Sequence, residues 1–394
     1  MYDKCVYQDL ARLNVVTIAW LLRISHWDTP NEDAPPQFDP GVSCTVGLGV
    51  DTRWRIEGRR FSETLLSKDS AYNPIPSPDG RYIAYVRTGW NRPGGSGGFG
   101  RSNLVSEVIV IDQKSVPTTA KPLEDMFLEG WTRDSSQLVC FRDRKYAIVS
   151  TDGKRVEEGQ IPYDADKQPA PERVAYLPSL AQIVWSRPAD SSHEVIETPT
   201  RRIVTKQPLQ KDRLVPSPDG RYLAVFGDFP QSDLRIYDFL LKSWTNLGEI
   251  SVHPDKDWSY IQPSWNPWYA DGTRLVFLRG SMLIVASPDG TTEVEIKMDA
   301  PAGLPVPSPN GQSIAFVTFE PRPMRMRPDL QFWGGTTIRV VSISGSGTAR
   351  AVTQKNTDEV YDLKWLGNDN LVFDRVPDEA FPLHARIWKA SVPR

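Results

Sequence analysis

Two short motifs with chemical meaning overlap in one glycine-rich stretch, residues 94–100. Gly94-Gly95-Ser96-Gly97-Gly98 matches Gly-x-Ser-x-Gly, which presents a nucleophilic serine where a strand leads into a helix. Gly95, Gly97 and Gly100 also match a dinucleotide-binding pattern, which needs a βαβ unit. Here both motifs lie in a loop between two predicted strands, and no helical pattern follows. We therefore predict neither a serine nucleophile nor a dinucleotide site.

Metal-ligating residues are few and scattered. No His-x-x-x-His spacing occurs among the four histidines, His26, His193, His253 and His384. The three cysteines, Cys5, Cys44 and Cys140, have no zinc-site spacing, and Cys140 lies in an apolar run typical of a buried strand. We predict no metal, no cofactor and no catalytic residue.

A third group of residues suits binding rather than catalysis. Arginine and aromatic side chains are enriched at interaction hot spots, and binding residues concentrate on loops over rigid scaffolds. Such side chains occur in three long loops, at about residues 87–104, 318–336 and 375–384. The candidate residues for binding a ligand or partner are Trp90, Arg92, Phe99, Arg101, Arg322, Arg325, Arg327, Phe332, Trp333, Phe381 and His384.

The elements that position these loops come from an internal repeat. Residues 75–86, IPSPDGRYIAYV, recur in similar form at residues 215–226 and 306–317. In each copy Ser, Pro and Gly suit a type I turn, and the β-branched and aromatic run after it reads as a strand. We predict that the turn residues satisfy the turn backbone rather than catalyse a reaction; they are Asp79, Gly80, Asp219, Gly220, Asp271, Gly272, Asn310 and Gly311.

Weaker copies bring the number of repeats to seven. Their turns lie near residues 79, 134, 179, 219, 271, 310 and 368. Further strand signals follow most turns, which gives units of up to four strands. Successive turns lie 39 to 58 residues apart, near the period of roughly 40–50 residues that four-stranded units of ring-shaped repeat folds have. An aromatic residue precedes the turn in the copies with Trp131, Trp265 and Trp365, and proline replaces it at Pro76, Pro216 and Pro307.

These residues resemble the TolB-type, WD-repeat-like β-propeller family, over about residues 70–394. The resemblance implies a ring of blades around a central channel and a periplasmic or secreted location. It implies no particular activity, since related propellers serve as partner-binding platforms and as gating domains of serine peptidases.

The predicted fold is therefore all-β, a seven-bladed β-propeller of four-stranded antiparallel blades. Residues 1–45 are predicted to be an extension, with an apolar run at residues 13–22 that resembles a degenerate export signal. Residues 46–394 form the propeller, in units of about 70–125, 126–170, 171–210, 211–258, 259–300, 301–356 and 357–394. Residues 59–68 supply the closing strand of the last unit, because its exposed edge needs a partner. Eight blades are the alternative, if residues 54–57 and this strand form a separate sheet.

Composition and loop placement lead to the functional prediction. Lys plus Arg (46) nearly balance Asp plus Glu (49), which argues against a nucleic-acid partner, and no stretch is long enough for a membrane span. In a seven-membered ring the three long loops belong to neighbouring blades. We predict a monomeric, non-enzymatic scaffold that binds a protein or peptide, or a small anionic ligand, at the channel mouth. The alternatives are a propeller enzyme of the lyase or cyclase class, acting on a carbohydrate or peptide end, and a regulatory propeller of a separate serine peptidase.

Overall fold

The computed structural model describes residues 52–56, 59–67, 69–90, 104–113, 127–142, 145–161, 173–177, 182–188, 194–198, 201–204, 213–227, 231–251, 265–323, 331–332, 335–344, 348–356, 358–376 and 385–393. All regular secondary structure in these residues is β-strand. None of them belongs to a helix of the length and apolarity that crossing a membrane requires.

The strands are short and follow one another closely along the described chain. Those of the first half are β1 (Thr52–Ile56), β2 (Arg59–Leu65), β3 (Ala71–Pro76), β4 (Tyr82–Trp90), β5 (Leu104–Asp112), β6 (Phe127–Trp131), β7 (Gln137–Arg142), β8 (Lys145–Ser150), β9 (Arg155–Gln160), β10 (Arg173–Leu177), β11 (Gln182–Pro188), β12 (Glu194–Thr198) and β13 (Arg201–Val204). Those of the second half are β14 (Arg213–Pro216), β15 (Tyr222–Phe226), β16 (Gln231–Asp238), β17 (Ser243–Ser251), β18 (Leu275–Arg279), β19 (Met282–Ala286), β20 (Thr292–Lys297), β21 (Ala302–Pro307), β22 (Ser313–Thr318), β23 (Arg322–Pro323), β24 (Gln331–Phe332), β25 (Thr337–Ser342), β26 (Arg350–Ala351), β27 (Leu363–Leu366), β28 (Asn370–Arg375) and β29 (Arg386–Ser391).

Antiparallel pairing groups these strands into sheets that follow chain order. We label them sheet A (β3–β5), B (β6–β9), C (β10–β13), D (β14–β17), E (β18–β20), F (β21, β22, β25 and β26) and G (β27–β29 with β1 and β2). Sheets D and E are the two halves of one longer sheet, joined where Ser251 pairs with Leu278. The short strands β23 and β24 form a separate ribbon.

The repeated turn has the same hydrogen bonds in sheets A and D. In sheet A, the Ser77 hydroxyl donates to Asp79 Oδ1 at 2.5 Å and accepts from the Tyr82 N–H at 2.9 Å. Asp79 Oδ1 also accepts from the Arg81 N–H at 3.0 Å. Gly80 has φ +70°, a left-handed conformation that favours glycine. The Ser and Asp side chains thus satisfy the backbone of the turn that connects the first strand of each of these sheets to the second.

Tryptophan side chains connect successive sheets through hydrogen bonds to the backbone. The indole N–H of Trp131 in sheet B donates to the Ile75 carbonyl of sheet A at 2.9 Å. Trp365 in sheet G makes the same bond to the Val306 carbonyl of sheet F, also at 2.9 Å. An indole N–H buried between two sheets needs an acceptor, so these bonds fix the spacing of neighbouring sheets.

Buried apolar side chains pack each sheet against the next, and the last sheet against the first. The contacts fall within shared clusters that include Val86 with Leu138 (A and B), Phe141 with Tyr176 (B and C), Leu177 with Leu223 (C and D), Phe226 with Trp265 (D and the segment before E), Val285 with Phe316 (E and F), Val306 with Trp365 (F and G), and Val372 with Ile83 (G and A). Cys140 is buried in the sheet B strand β7, as predicted. The core is therefore distributed between sheets.

The N-terminal strand β2 belongs to the same sheet as the C-terminal strand β29. Glu63 pairs with Ala390 and Leu65 pairs with Trp388, while β1 pairs with the outer side of β2. Sheet G therefore has the order β1-β2-β29-β28-β27, and β1 and β2 do not form a sheet of their own.

An ion pair fastens β2 to the rest of sheet G. Arg375 at the end of β28 is only 3% exposed, and its guanidinium pairs with the Glu63 carboxylate. The other carboxylate oxygen of Glu63 accepts from the Gln354 N–H at 3.2 Å, in the connection between sheets F and G. The Arg375 guanidinium also lies over the rings of Phe373 and Trp388. The Glu63 side chain of β2 thus binds two other segments, β28 and the connection between sheets F and G.

Candidate functional site

Most of the predicted binding residues lie outside the described part of the chain; they are Arg92, Phe99, Arg101, Arg325, Arg327, Trp333, Phe381 and His384. Only the backbone is described for three others. Trp90 ends β4 opposite Leu104, and Arg322 pairs with Phe332 in the β23–β24 ribbon. The structure does not test these residues as a binding site, and the assignment stays a prediction.

The structure instead draws attention to a set of charged side chains that the sequence analysis did not select. We call Glu129, Arg213, Asp362, Lys364 and Asp374 the charged cluster. Glu129 and Arg213 lie in β6 and β14, the first strands of sheets B and D. Lys364 lies in β27, the first strand of sheet G, with Asp362 just before it and Asp374 on the neighbouring strand β28.

A β-bulge places Glu129 outside the regular strand pairing of sheet B. Leu128 pairs with Cys140 and Gly130 with Val139, so Glu129 is the extra residue between them. The Asn73 side chain of sheet A donates to the Leu128 carbonyl at 3.1 Å and fixes the backbone beside the bulge. Bulges redirect side chains in this way and are frequent next to functional sites.

The environment of Glu129 combines exposure with strong desolvation. The residue is exposed to water, yet the surrounding protein raises the pKa of its carboxyl to about 7, and the charge of Arg213 opposes this rise. A side chain that water reaches but protein surrounds lies in a confined space rather than on an open surface.

Lys364 and two aspartates form the part of the cluster contributed by sheet G. Lys364 Nζ lies 3.9 Å from Asp362 Oδ1, and both aspartates are buried. Asp374 Oδ1 accepts from the N–H groups of Tyr361 at 3.1 Å and Asp362 at 2.8 Å. Burial raises the pKa of Asp374, as does the neighbouring charge of Asp362, against the effect of these hydrogen bonds. Burial lowers the pKa of Lys364, Asp362 opposes this, and Arg213 lowers it further.

Electrostatic effects connect members of the cluster that lie in different sheets. The charge of Arg213 in sheet D acts on Glu129 in sheet B and on Lys364 in sheet G. The three residues therefore interact electrostatically although they lie in three different sheets.

The fold does not require a charge at the Lys364 position. Lys364 pairs with Val372. The residues at the same register in other sheets are Ile75, Gly130, Val215 and Val306, paired with Ala84, Val139, Ala224 and Ala315. The sequence feature that could have pointed to the cluster is therefore a lysine in β27 and a glutamate in β6, two first strands that are otherwise apolar. This feature can be recognised only when the strand pairing is known.

The cluster does not have the donor set of a metal site. In the ranges that the structure describes, no group of three or more His, Cys, Asp or Glu residues is arranged to hold a metal ion. The cluster mixes two cationic with three acidic side chains.

Comparison with known proteins yields a structural likeness only. No model of a protein family matches the chain, and no curated protein matches it. Among solved structures, it is similar to the β-propeller domain of Cps50 (Swd1) from Myceliophteria thermophila, with a TM-score of 0.50 and 13% identity over 84% of this chain and 100% of that domain. The chain has a β-propeller fold. This confirms the prediction of an all-β propeller, whereas the seven blades and the closure of the ring stay predictions. Identity this low extends the likeness to nothing beyond the fold.

A second solved structure is more distant. Hydrazine synthase from Kuenenia stuttgartiensis has a TM-score of 0.40 and 16% identity, over 62% of this chain and 72% of that one, which is too low to support an argument.

The raised pKa of Glu129 leads to a prediction about stability. In the unfolded chain this carboxyl ionises near its ordinary pKa of 4.5, whereas in the folded propeller it ionises near 7. Between these values the unfolded state binds fewer protons, so stability falls as the pH rises. Glu129→Gln removes this loss. We expect the variant to melt a few degrees above wild type at pH 8, with a smaller difference at pH 5.

Thermal melts of both proteins from pH 5 to 8 measure this difference. Glu158→Gln is the matched control in sheet B, because Glu158 is exposed and pairs with the exposed Arg155. A difference between Glu129→Gln and wild type that does not change with pH would contradict the confined environment of Glu129.

Proposed function

We propose that this chain is a closed, seven-bladed, TolB-like propeller that binds a protein or peptide at the mouth of its channel. In this proposal sheets A to G are the blades, residues 46–394 form the single domain, residues 1–45 are an extension, and the protein acts as a monomeric scaffold. The pairing of β2 with β29 and the packing of sheet G on sheet A support the closed ring.

The observation that carries the binding proposal is the placement of the three long loops. They follow β4, β22 and β28, which are the second strands of sheets A, F and G. Sheet F packs on G, and G packs on A, so these second strands belong to three consecutive blades. Loops that leave equivalent strands in neighbouring blades emerge on the same face. Their arginine and aromatic residues would therefore form one continuous surface beside the channel.

Charge reversal in the longest of these loops tests the proposal. We expect Arg325→Glu/Arg327→Glu to abolish capture of the protein or peptide partner that wild type retains in a pull-down. The reason is that an acidic partner meets repulsion where it met two guanidinium groups.

The matched control is Lys154→Glu/Lys242→Glu, which reverses the same number of charges. These lysines lie at the β8–β9 and β16–β17 hairpins, which leave the opposite ends of their sheets. Partner capture by the control should equal that of wild type. Unchanged capture by the Arg325/Arg327 variant would show that this loop is not the binding surface.

A further inference from the structure

We propose that Asn310 is a site of spontaneous deamidation, and that its conversion to aspartate leaves the β21–β22 turn of sheet F intact. Asparagine is a thermolabile residue, and a glycine after it leaves the following backbone nitrogen unhindered. Asn310-Gly311 is the one Asn-Gly pair in the sequence, and Asn310 is exposed at the tip of its turn. The inference goes beyond the proposed binding function and does not rest on it.

The modification requires only water. The Gly311 backbone nitrogen, after its proton passes to hydroxide, attacks Cγ of Asn310. A C–N bond forms, and the side-chain amide group takes a proton from water and leaves as ammonia. Water then opens the resulting five-membered imide. Addition of water at Cγ gives aspartate with the main chain unchanged, whereas addition at the backbone carbonyl carbon gives isoaspartate, in which the chain runs through the former side chain.

The first argument is that the turn uses only the part of the Asn310 side chain that aspartate shares. Asn310 Oδ1 accepts from the Ser308 hydroxyl at 2.7 Å and from the Gln312 N–H at 3.1 Å. Its amide nitrogen makes no hydrogen bond to the part of the chain that the structure describes. A carboxylate oxygen can accept both bonds, and its negative charge strengthens them.

The second argument is that aspartate occupies the same position in another turn of this shape. In the β19–β20 turn, Asp289 Oδ1 accepts from the Ser287 hydroxyl at 2.5 Å and from the Thr291 N–H at 2.9 Å. These bonds hold the pKa of the Asp289 carboxyl below its ordinary value, and the Ser287 hydroxyl contributes most. Such a turn therefore stabilises aspartate in its ionised form.

The third argument is that a cation lies against the turn. A Cβ atom placed on Gly311 would lie 2.9 Å from Arg274 Nη2, so this guanidinium packs beside the residue that follows Asn310. The two ion pairs of Arg274 are long, 4.0 Å to Asp271 and 3.8 Å to Glu293. A new negative charge at residue 310 would therefore gain a favourable interaction with a neighbouring guanidinium.

The folded turn slows the reaction without preventing it. The Gly311 N–H donates to the Ser308 carbonyl at 2.8 Å, so its nitrogen can attack only while this bond is open. Exposed turns open locally more often than a whole domain unfolds. We therefore expect Asn310 to react more slowly in the folded chain than in the denatured chain, yet faster than an exposed asparagine that no glycine follows.

Peptide mapping by mass spectrometry tests the site, on full chain aged at pH 8 in native buffer and in guanidinium chloride. Asn246 is the internal control, because it is also exposed and its Oδ1 accepts the Gly248 N–H at 2.8 Å, but leucine follows it. In native buffer we expect a deamidated fraction several-fold larger at Asn310 than at Asn246. Equal fractions at the two residues, or an Asn310 that reacts only in guanidinium chloride, would overturn the site.

Thermal melts of two variants at pH 7 test the effect on the turn. Asn310→Asp should melt at or above the wild-type temperature, because a carboxylate keeps both hydrogen bonds. Asn310→Ala is the control that shows what loss of the oxygen costs. It should melt below wild type, since the Ser308 hydroxyl and the Gln312 N–H lose their common acceptor. Melting of Asn310→Asp below wild type would overturn the proposal that aspartate leaves the turn intact.

Discussion

Deletion of residues 1–68 is expected to make the protein aggregate, whereas deletion of residues 1–45 is expected to leave it folded. The longer deletion removes β1 and β2 and bares the edge of β29. An unpaired strand edge is a template for pairing with another chain. It also removes Glu63 and leaves the buried guanidinium of Arg375 without its carboxylate. The shorter deletion ends before the first described strand, β1.

Size-exclusion chromatography and thermal melts of the two truncated proteins measure this difference. The 1–45 deletion should elute as a single species and melt within a few degrees of the full chain. The 1–68 deletion should elute in the void volume or fail to show a cooperative transition. Equal elution and equal melting of the two proteins would contradict the role of β2 as the closing strand.

Replacement of Glu63 by alanine is expected to destabilise the folded protein strongly. Arg375 is 3% exposed, so Glu63→Ala leaves a buried charge without its partner. Removing one member of a buried ion pair costs roughly 3–5 kcal/mol. The total free energy of unfolding of a native protein is only about 5–15 kcal/mol. Chemical denaturation should therefore show a large fall in the free energy of unfolding.

Two controls separate the ion pair from loss of a side chain in general. Glu158→Ala breaks the exposed pair with Arg155 and should change stability by less than about 1 kcal/mol. Glu63→Ala/Arg375→Met should be more stable than Glu63→Ala alone, because methionine fits the apolar surface of Phe373 and Trp388 and leaves no buried charge. A double variant no more stable than Glu63→Ala would show that the buried charge is not the cause.

The fold class was predictable because its signal is local and repeated. The Ser-Pro-Asp-Gly turns contain their own hydrogen-bond partners, as the bonds among Ser77, Asp79 and Tyr82 show. The hydrogen bonds that shape each turn are therefore local in the sequence. Repetition of such hairpins along the chain then favours a propeller over other all-β folds.

The charged cluster was not predictable for the opposite reason. Glu129 and Lys364 lie more than 200 residues apart in the sequence, and each looks like an ordinary charged residue within two positions of a tryptophan. The assignment of these residues to one cluster depends on two structural features. The bulge after Leu128 redirects Glu129, and Lys364 pairs with Val372. Both features arise from strand pairing, which a single sequence does not specify. The loop residues selected from the sequence lie mostly outside the described chain, so their assignment as a binding surface stays a prediction.

A crystal structure of the full chain tests the central claim most directly, because it shows how many sheets surround the channel and which strand completes the last one. We expect seven sheets, with residues 59–65 paired to residues 386–391. An eighth sheet built from residues before 59, or a gap between sheets G and A, would contradict the closed seven-bladed ring.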